Sequence, residues 1–321
     1  MKQFTIFIVA IICGLPFSIH AQQNPPKTGN TQETILRLTP QTADTSKNKG
    51  VKSSKGNGDK SGMSHKVYTP EQEAAMNFFK NGIQKAKVGD LNGAIDDFTK
   101  SLEQVKDANV YIKRGTAYLM VKNYGAAIQD ATECLRLQPT LFKAHYIRGV
   151  GRYETEDYKG AKEDLDLYLE KDRTNPSAFN YMAALLFMNQ DFNGALINYN
   201  EVVKLDPKFP DIYTNRGMMR HYTLDYKGAI EDYNEALKLT PDNPSAYNNR
   251  GAARMMVKEL DSAMVDLNRA ITLNDKYAQA YDNRGRLKQE LGDLTGACAD
   301  WKMAYANGLE VSNERILKFC K

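Results

Sequence analysis

Histidine is scarce in this chain, with four in 321 residues at His20, His65, His145 and His221. None has a second ligand at metal-binding spacing, so a zinc or other transition-metal centre is not expected. The chain also lacks a phosphate-cradling G-x-x-x-x-G-K-[ST], a G-x-G-x-x-G following a strand and a G-x-S-x-G nucleophile turn. Those absences remove the common nucleotide-binding and acyl-transfer chemistries. The many carboxylates have structural work to do as helix caps and arginine partners, so paired-acid catalysis is not needed to explain them. The reading is no enzyme, no catalytic residue, no cofactor and no metal. Long apolar runs are equally rare. The one extended run, Phe4 to Phe17, has 14 residues, against about 20 needed to cross a bilayer. Excess charge is missing from most of the chain. The net +4 comes from a basic stretch, residues 22–67, with eight Lys/Arg against three Asp/Glu. What remains is close to neutral and gives no electrostatic footprint for nucleic acid.

Residues 1–21 read as a secretory signal peptide, with Lys2 before the apolar run and cleavage after Ala21. Ile19 is larger than the small residue usual at its position, which leaves the exact bond open. Cys13 follows Ile12 rather than a small residue, so lipoprotein processing is disfavoured. The implied location is the periplasm or the extracellular space, with no transmembrane segment in the mature chain. Residues 22–67 are rich in Lys, Ser, Gly, Thr and Asn. Such a stretch cannot bury enough apolar surface to offset its ordering entropy and reads as a disordered basic tether. It is either a solvated spacer or a strip that touches an anionic surface or polymer.

From Tyr68 onward the chain repeats itself. A small residue recurs at Gly82, Gly115, Gly149, Ala183, Gly217, Gly251 and Gly285, spaced by 33 once and then by 34. Twelve positions later comes a second small column: Ala94, Ala127, Ala161, Ala195, Ala229, Ala263 and Ala297. Larger residues fill around them at Phe98, Leu165, Tyr199, Tyr233, Leu267 and Trp301, with Ala131 the small exception. Thr69-Pro70-Glu71-Gln72 is a capping-box start. Asp90, Asn123, Asp157, Asp191, Asp225, Glu259 and Asp293 open the second helix of each pair, and all but Glu259 are good caps. Two amphipathic helices per 34 residues resemble tetratricopeptide repeats. The resemblance covers residues 68–308 as seven repeats, with residues 309–321 a C-terminal capping helix. It implies an all-α fold, a right-handed solenoid of αα-hairpins.

Two further columns need their own account. Arg114, Arg148, Arg216, Arg250 and Arg284 precede the signature glycine, and Asp97, Asp130, Asp164, Asp232, Asp266 and Asp300 recur in the second helices, sixteen positions after that column. Repeat four lacks both members, having Met182 and Asn198, which points to pairing within one repeat. The column is either such a structural staple or a cationic stripe for phosphate or carboxylate ligands. Cys298 and Cys320 face each other if their two helices run antiparallel around Asn307-Gly308, which favours a disulfide in an oxidising compartment. Cys134 falls in a small-residue column and reads as a buried thiol.

By resemblance, the first helices line a concave groove. The residues placed there are Met120, Tyr153, Phe187, Met188, Met218, His221, Tyr222, Met255 and Met256, an apolar surface rich in adaptable methionine. Some of them could instead pack helix on helix. The Lys-and-Asn clamp by which some family members grip acidic tails has no counterpart here. Asn215, Asn249 and Asn283 are similar to a partial asparagine ladder that grips an extended backbone, unless they bond a neighbouring helix instead. The resemblance implies a non-catalytic protein–protein interaction scaffold of the cell envelope, binding an extended peptide or partner protein. The alternative is a cell-wall or glycan binder using exposed aromatics and the basic tether. Nothing here bears on oligomeric state.

Overall fold

The computed structural model describes residues 68–209 and 211–320, so the expected signal peptide and tether lie outside the described residues. Fifteen α-helices and no strand occur among the described residues. They fall into two compact units, one ending at Asp172 and the other beginning at Arg173.

The first unit holds three hairpins: α1 (Pro70–Lys87) with α2 (Leu91–Gln104), α3 (Ala108–Met120) with α4 (Tyr124–Leu137), and α5 (Lys143–Glu154) with α6 (Tyr158–Lys171). The second holds four more and a single last helix. Its pairs are α7 (Pro176–Met188) with α8 (Phe192–Leu205), α9 (Ile212–Tyr222) with α10 (Tyr226–Leu239), α11 (Pro244–Met256) with α12 (Leu260–Leu273), and α13 (Ala278–Glu290) with α14 (Leu294–Ala306). The last helix is α15 (Val311–Phe319). Repeat four, with Met182 and Asn198 in place of the Arg–Asp pair, opens the second unit.

Each hairpin starts and stops for local reasons. Thr69 and Gln72 exchange side-chain and backbone hydrogen bonds ahead of α1, with Pro70 at its first position. Six second helices are capped by a side-chain oxygen that accepts the backbone N–H three residues on, as from Asp225 to Gly228 at 3.0 Å. Glu259 makes no such bond, because its longer side chain does not turn back onto its own helix start. The residue immediately before each of these caps has a left-handed backbone. It is glycine at Gly89 and Gly292, while Lys122, Glu156, Gln190, Leu224 and Lys258 adopt φ between 60° and 67°.

Close helix crossing explains the two small columns. All seven alanines of the second column are fully buried. A Cβ built on Gly217 would lie 2.8 Å from the Tyr233 ring, and one on Gly285 would lie 2.6 Å from Trp301 Nε1. Gly115 faces Ala131 in repeat two, and there the nearest atom stands back at 3.3 Å, on Asp130. Large and small side chains thus interlock so that each hairpin has its own dry seam. First helices of successive repeats also touch within each unit, which brings one face of α1, α3 and α5, and one face of α9, α11 and α13, into continuous rows.

Candidate binding face

The arginine column is a staple, and a more extensive one than the sequence reading proposed. Arg114, Arg148, Arg216, Arg250 and Arg284 each place Nε and Nη2 on the carboxylate of Asp130, Asp164, Asp232, Asp266 and Asp300 of the same hairpin. Nη1 then reaches back to the preceding hairpin, from Arg114 to Thr99, Arg216 to Asn200, Arg250 to Asn234 and Arg284 to Asn268. A tyrosine one turn earlier lies under four of these guanidiniums, as Tyr247 does 5.3 Å from Arg250. In repeat three His145 takes the tyrosine's place and bonds Asp164 through Nδ1 at 2.8 Å.

A second cation column, three residues after the small residue, escaped the sequence reading. Arg152, Arg220, Arg254 and Lys288 bring a second positive charge to Asp164, Asp232, Asp266 and Asp300, and Lys85 of the same column pairs with Asp97. Burial works to raise the Asp164 carboxyl, but hydrogen bonds from Arg148 and His145 and the charge of Arg152 outweigh it. Asp164 therefore titrates below the ordinary carboxylate range. With these guanidiniums committed, the stripe is part of the framework rather than an open anion site.

The row predicted to line the groove divides into two sets. Met120, Tyr153, Phe187, Met188, Tyr222 and Asn215 are half-buried, and Met256 is 38% exposed. Met218, His221, Met255, Asn249 and Asn283 are buried. The asparagines do not form an open row of three amides. Asn283 donates to Asn248 of the preceding first helix at 2.9 Å, Asn248 donates to Asn249, and Arg286 donates to Asn283. This is the alternative the sequence left open, an amide network that ties α11 to α13. From the half-buried set, Phe187 and Tyr222 form an aromatic cluster with Phe192 at the start of α8. The Phe192 and Tyr222 rings stack at 4.6 Å.

Several polar groups on the first helices are closed off from solvent and have no hydrogen-bond partner among the described residues: Lys113 Nζ, Thr214 Oγ1, both His221 nitrogens and Asn249 Nδ2. Burial and the nearby Lys143 charge bring Lys113 down to about 8. Burial, assisted by Arg286, brings His221 down to about 4. His221 stands edge-on to the Tyr226 ring at 5.0 Å. Cys134 is a buried free thiol whose pKa burial pushes up to about 12, too high for a reactive thiolate at neutral pH.

Cys298 and Cys320 are joined, with their Cα atoms 5.6 Å apart. The bond pins α15 against α14, where Phe319 packs on Trp301 and Ser312 and Arg315 bond the buried Asp282. The Cys320→Ser change should destabilise the last hairpin by about 3 kcal/mol, as expected for closing a loop of this size. Hydrogen exchange in α14 and α15 should speed up accordingly. The native chain should weigh two hydrogens less than the reduced one. Free thiols at both positions would contradict the assignment.

Residues 225–257 match the family described as TPR repeat. Curated relatives match over part of the chain. RNA polymerase II-associated protein 3 of Xenopus tropicalis is 31% identical over 111 residues, 34% of this chain and 16% of that protein. The Homo sapiens Protein SGT1 homolog is 33% identical over 90 residues, 28% of this chain and 25% of that protein. The chain thus spans a third or less of either relative. Among solved structures, a tetratricopeptide repeat protein from Parabacteroides merdae superposes with a TM-score of 0.51 at 16% identity, covering 75% of this chain and 99% of that one. Pseudomonas aeruginosa pilF gives 0.53 at 19% identity, covering 66% and 97%. The hairpin array, the repeat match and these folds agree, and the chain is a tetratricopeptide-repeat protein. No helix among the described residues is long and apolar enough to cross a membrane.

Proposed function

We propose that this protein is a non-catalytic scaffold of the cell envelope that holds an extended segment of a partner protein against its first helices. Tetratricopeptide-repeat proteins mediate protein–protein interactions. The observation that carries the reading here is a set of partly exposed apolar side chains, Phe187, Met188, Tyr222 and Met256, at the ends of successive first helices α7, α9 and α11. Recurring apolar sites suit an extended chain whose side chains alternate, and methionine adapts to varied partners. The signal-like residues 1–21 support the envelope, periplasmic or extracellular. So does the Cys298–Cys320 bond, since such bonds persist in oxidising compartments.

The double change Met188→Glu with Met256→Glu tests this reading. Both side chains reach solvent, so the melting temperature should stay nearly unchanged. Partner capture from envelope fractions should fall by about one to two decades, as for loss of two central apolar contacts. Undiminished capture would overturn it.

A further inference from the structure

We propose that α15 is a docking site for a second copy of this chain, the two α15 helices lying antiparallel across a two-fold axis. The proposal does not depend on what the first-helix face binds. Every earlier first helix packs on a second helix of its own hairpin, whereas α15 packs on α14 and has no hairpin mate among the described residues. α15 begins 33 residues after α13, and the same interval separates Arg315 from its partner Asp282. On that offset Leu317 and Lys318 fall where Arg284 and Gly285 stand in α13, the face that meets α14. The side of α15 left without a mate is therefore the one that carries Leu317, which is 73% exposed.

The choice of occupant comes from charge. α15 is held from its inner side, where Ser312 and Arg315 bond Asp282 and Phe319 packs on Trp301. The opposite stripe, Glu310, Glu314, Leu317 and Lys318, is exposed and shares one helical face. It runs from acidic through leucine to basic. Neither Glu314 nor Lys318 makes an ion pair among the described residues, and Lys318 lies over its neighbouring Phe319 ring. Such a stripe complements itself when reversed. An antiparallel copy sets each Glu314 against Lys318 of the second copy and brings the two Leu317 side chains together between those pairs. A lysine at the signature-glycine register also argues against a close-crossing hairpin mate, because that column is otherwise Gly or Ala and the crossing leaves no room for a long side chain. An incoming helix must stand further off, where charged side chains can meet. The neighbouring α14 adds apolar surface. At the register where Leu102, Leu169 and Leu237 are buried, Tyr305 is 48% exposed, and Met303 is 44% exposed.

Two helices of 9 residues make a small interface, so the dimer belongs to the weak class, with a Kd of roughly 10–100 µM. Sedimentation equilibrium of the chain from Gln22 to Lys321, at concentrations spanning that Kd, should show the mass rising from one chain toward two. Glu314→Lys or Lys318→Glu turns both symmetric pairs repulsive and should weaken association about tenfold. The double change Glu314→Lys with Lys318→Glu should restore it. An equal mixture of the two single variants should associate as the native chain does, since one stripe is then basic and the other acidic. Both positions are exposed, so the dilute variants should keep the native circular dichroism and melting temperature. A native chain that stays monomeric throughout, or a dimer indifferent to the single reversals, overturns the proposal. Association that neither the double reversal nor the mixture restores overturns it as well, because the Glu314–Lys318 pairing is its basis. A monomeric chain in which envelope fractions slow hydrogen exchange of α15 has a foreign partner there, which also overturns it.

Discussion

Lowering the pH from 7 to 4.5 should destabilise the C-terminal unit through a single side chain, His221. Its imidazole is 1% exposed, both nitrogens lack partners among the described residues, and burial with the Arg286 charge holds its folded pKa at about 4. Unfolded, it titrates near 6.5, so between those values the unfolded chain binds the extra proton. A depressed pKa contributes stability that is fully present above about 6.5 and is lost as pH falls toward about 4. Two and a half units correspond to about 3 kcal/mol at most, less if the fold relaxes around the charge. His221→Leu removes the titrating group and two unsatisfied nitrogens while keeping an apolar contact with Tyr226. The variant should therefore gain on the native chain as the pH falls. Denaturant midpoints at pH 7 and pH 4.5 give the comparison. A native-to-variant difference that is the same at both pH values would show that His221 is solvated or already partnered in solution.

Removing one aspartate should cost more than removing the arginine it pairs with. Asp266 is held by Arg250 and Arg254, whose side chains are 15% and 20% exposed. Asp266→Ala leaves two largely buried guanidiniums facing each other without a carboxylate, at about 3–5 kcal/mol. Arg250→Ala leaves Asp266 with Arg254 and should cost about 2 kcal/mol, toward the lower end for such pairs. Repeat four shows the replacement that the fold accepts. It carries Met182, Leu186 and Asn198 at the three positions, and Asn198 bonds the Gly194 carbonyl of its own helix. The triple change Arg250→Met, Arg254→Leu, Asp266→Asn should thus stay within about 1 kcal/mol of the native chain, as apolar replacements of whole buried ion groups do. A triple variant no more stable than Asp266→Ala would mean that the staple depends on links to the preceding repeat, through Asn234, more than on its own charges.

The repeat could be read from sequence because every feature that builds it recurs at a fixed spacing. Gly217, Ala229 and Tyr233 interlock in one hairpin as Gly251, Ala263 and Leu267 do in the next, so the crossing is visible as columns. The Arg–Asp pair was legible for the same reason, and its joint absence in repeat four identified the partner correctly. The second cation column was legible too. It escaped notice because it mixes Arg and Lys and is interrupted by Tyr118 and Leu186. What the columns could not convey is which side chains of the first helices remain open. Asn215, Asn249 and Asn283 occupy the same register, yet only Asn215 is partly exposed. The difference comes from Asn248, which links to Asn249 beside it and to Asn283 on the next first helix. Such a bond depends on side-chain identity at two registers at once, which a period does not encode. The division after Asp172 left no trace in the spacing either, since Gly149, Ala183 and Gly217 keep their interval across it.

The central claim, that partners lie on the first-helix face, is tested most directly by placing a photocrosslinking amino acid at Met256 on α11 or at Val265 on α12. Both positions reach solvent, at 38% and 67% exposure, but they stand on the first and second helix of one hairpin. Irradiation of envelope fractions should give a discrete partner adduct from position 256 and none from position 265. Adducts from 265 alone, or equally from both, would contradict the account.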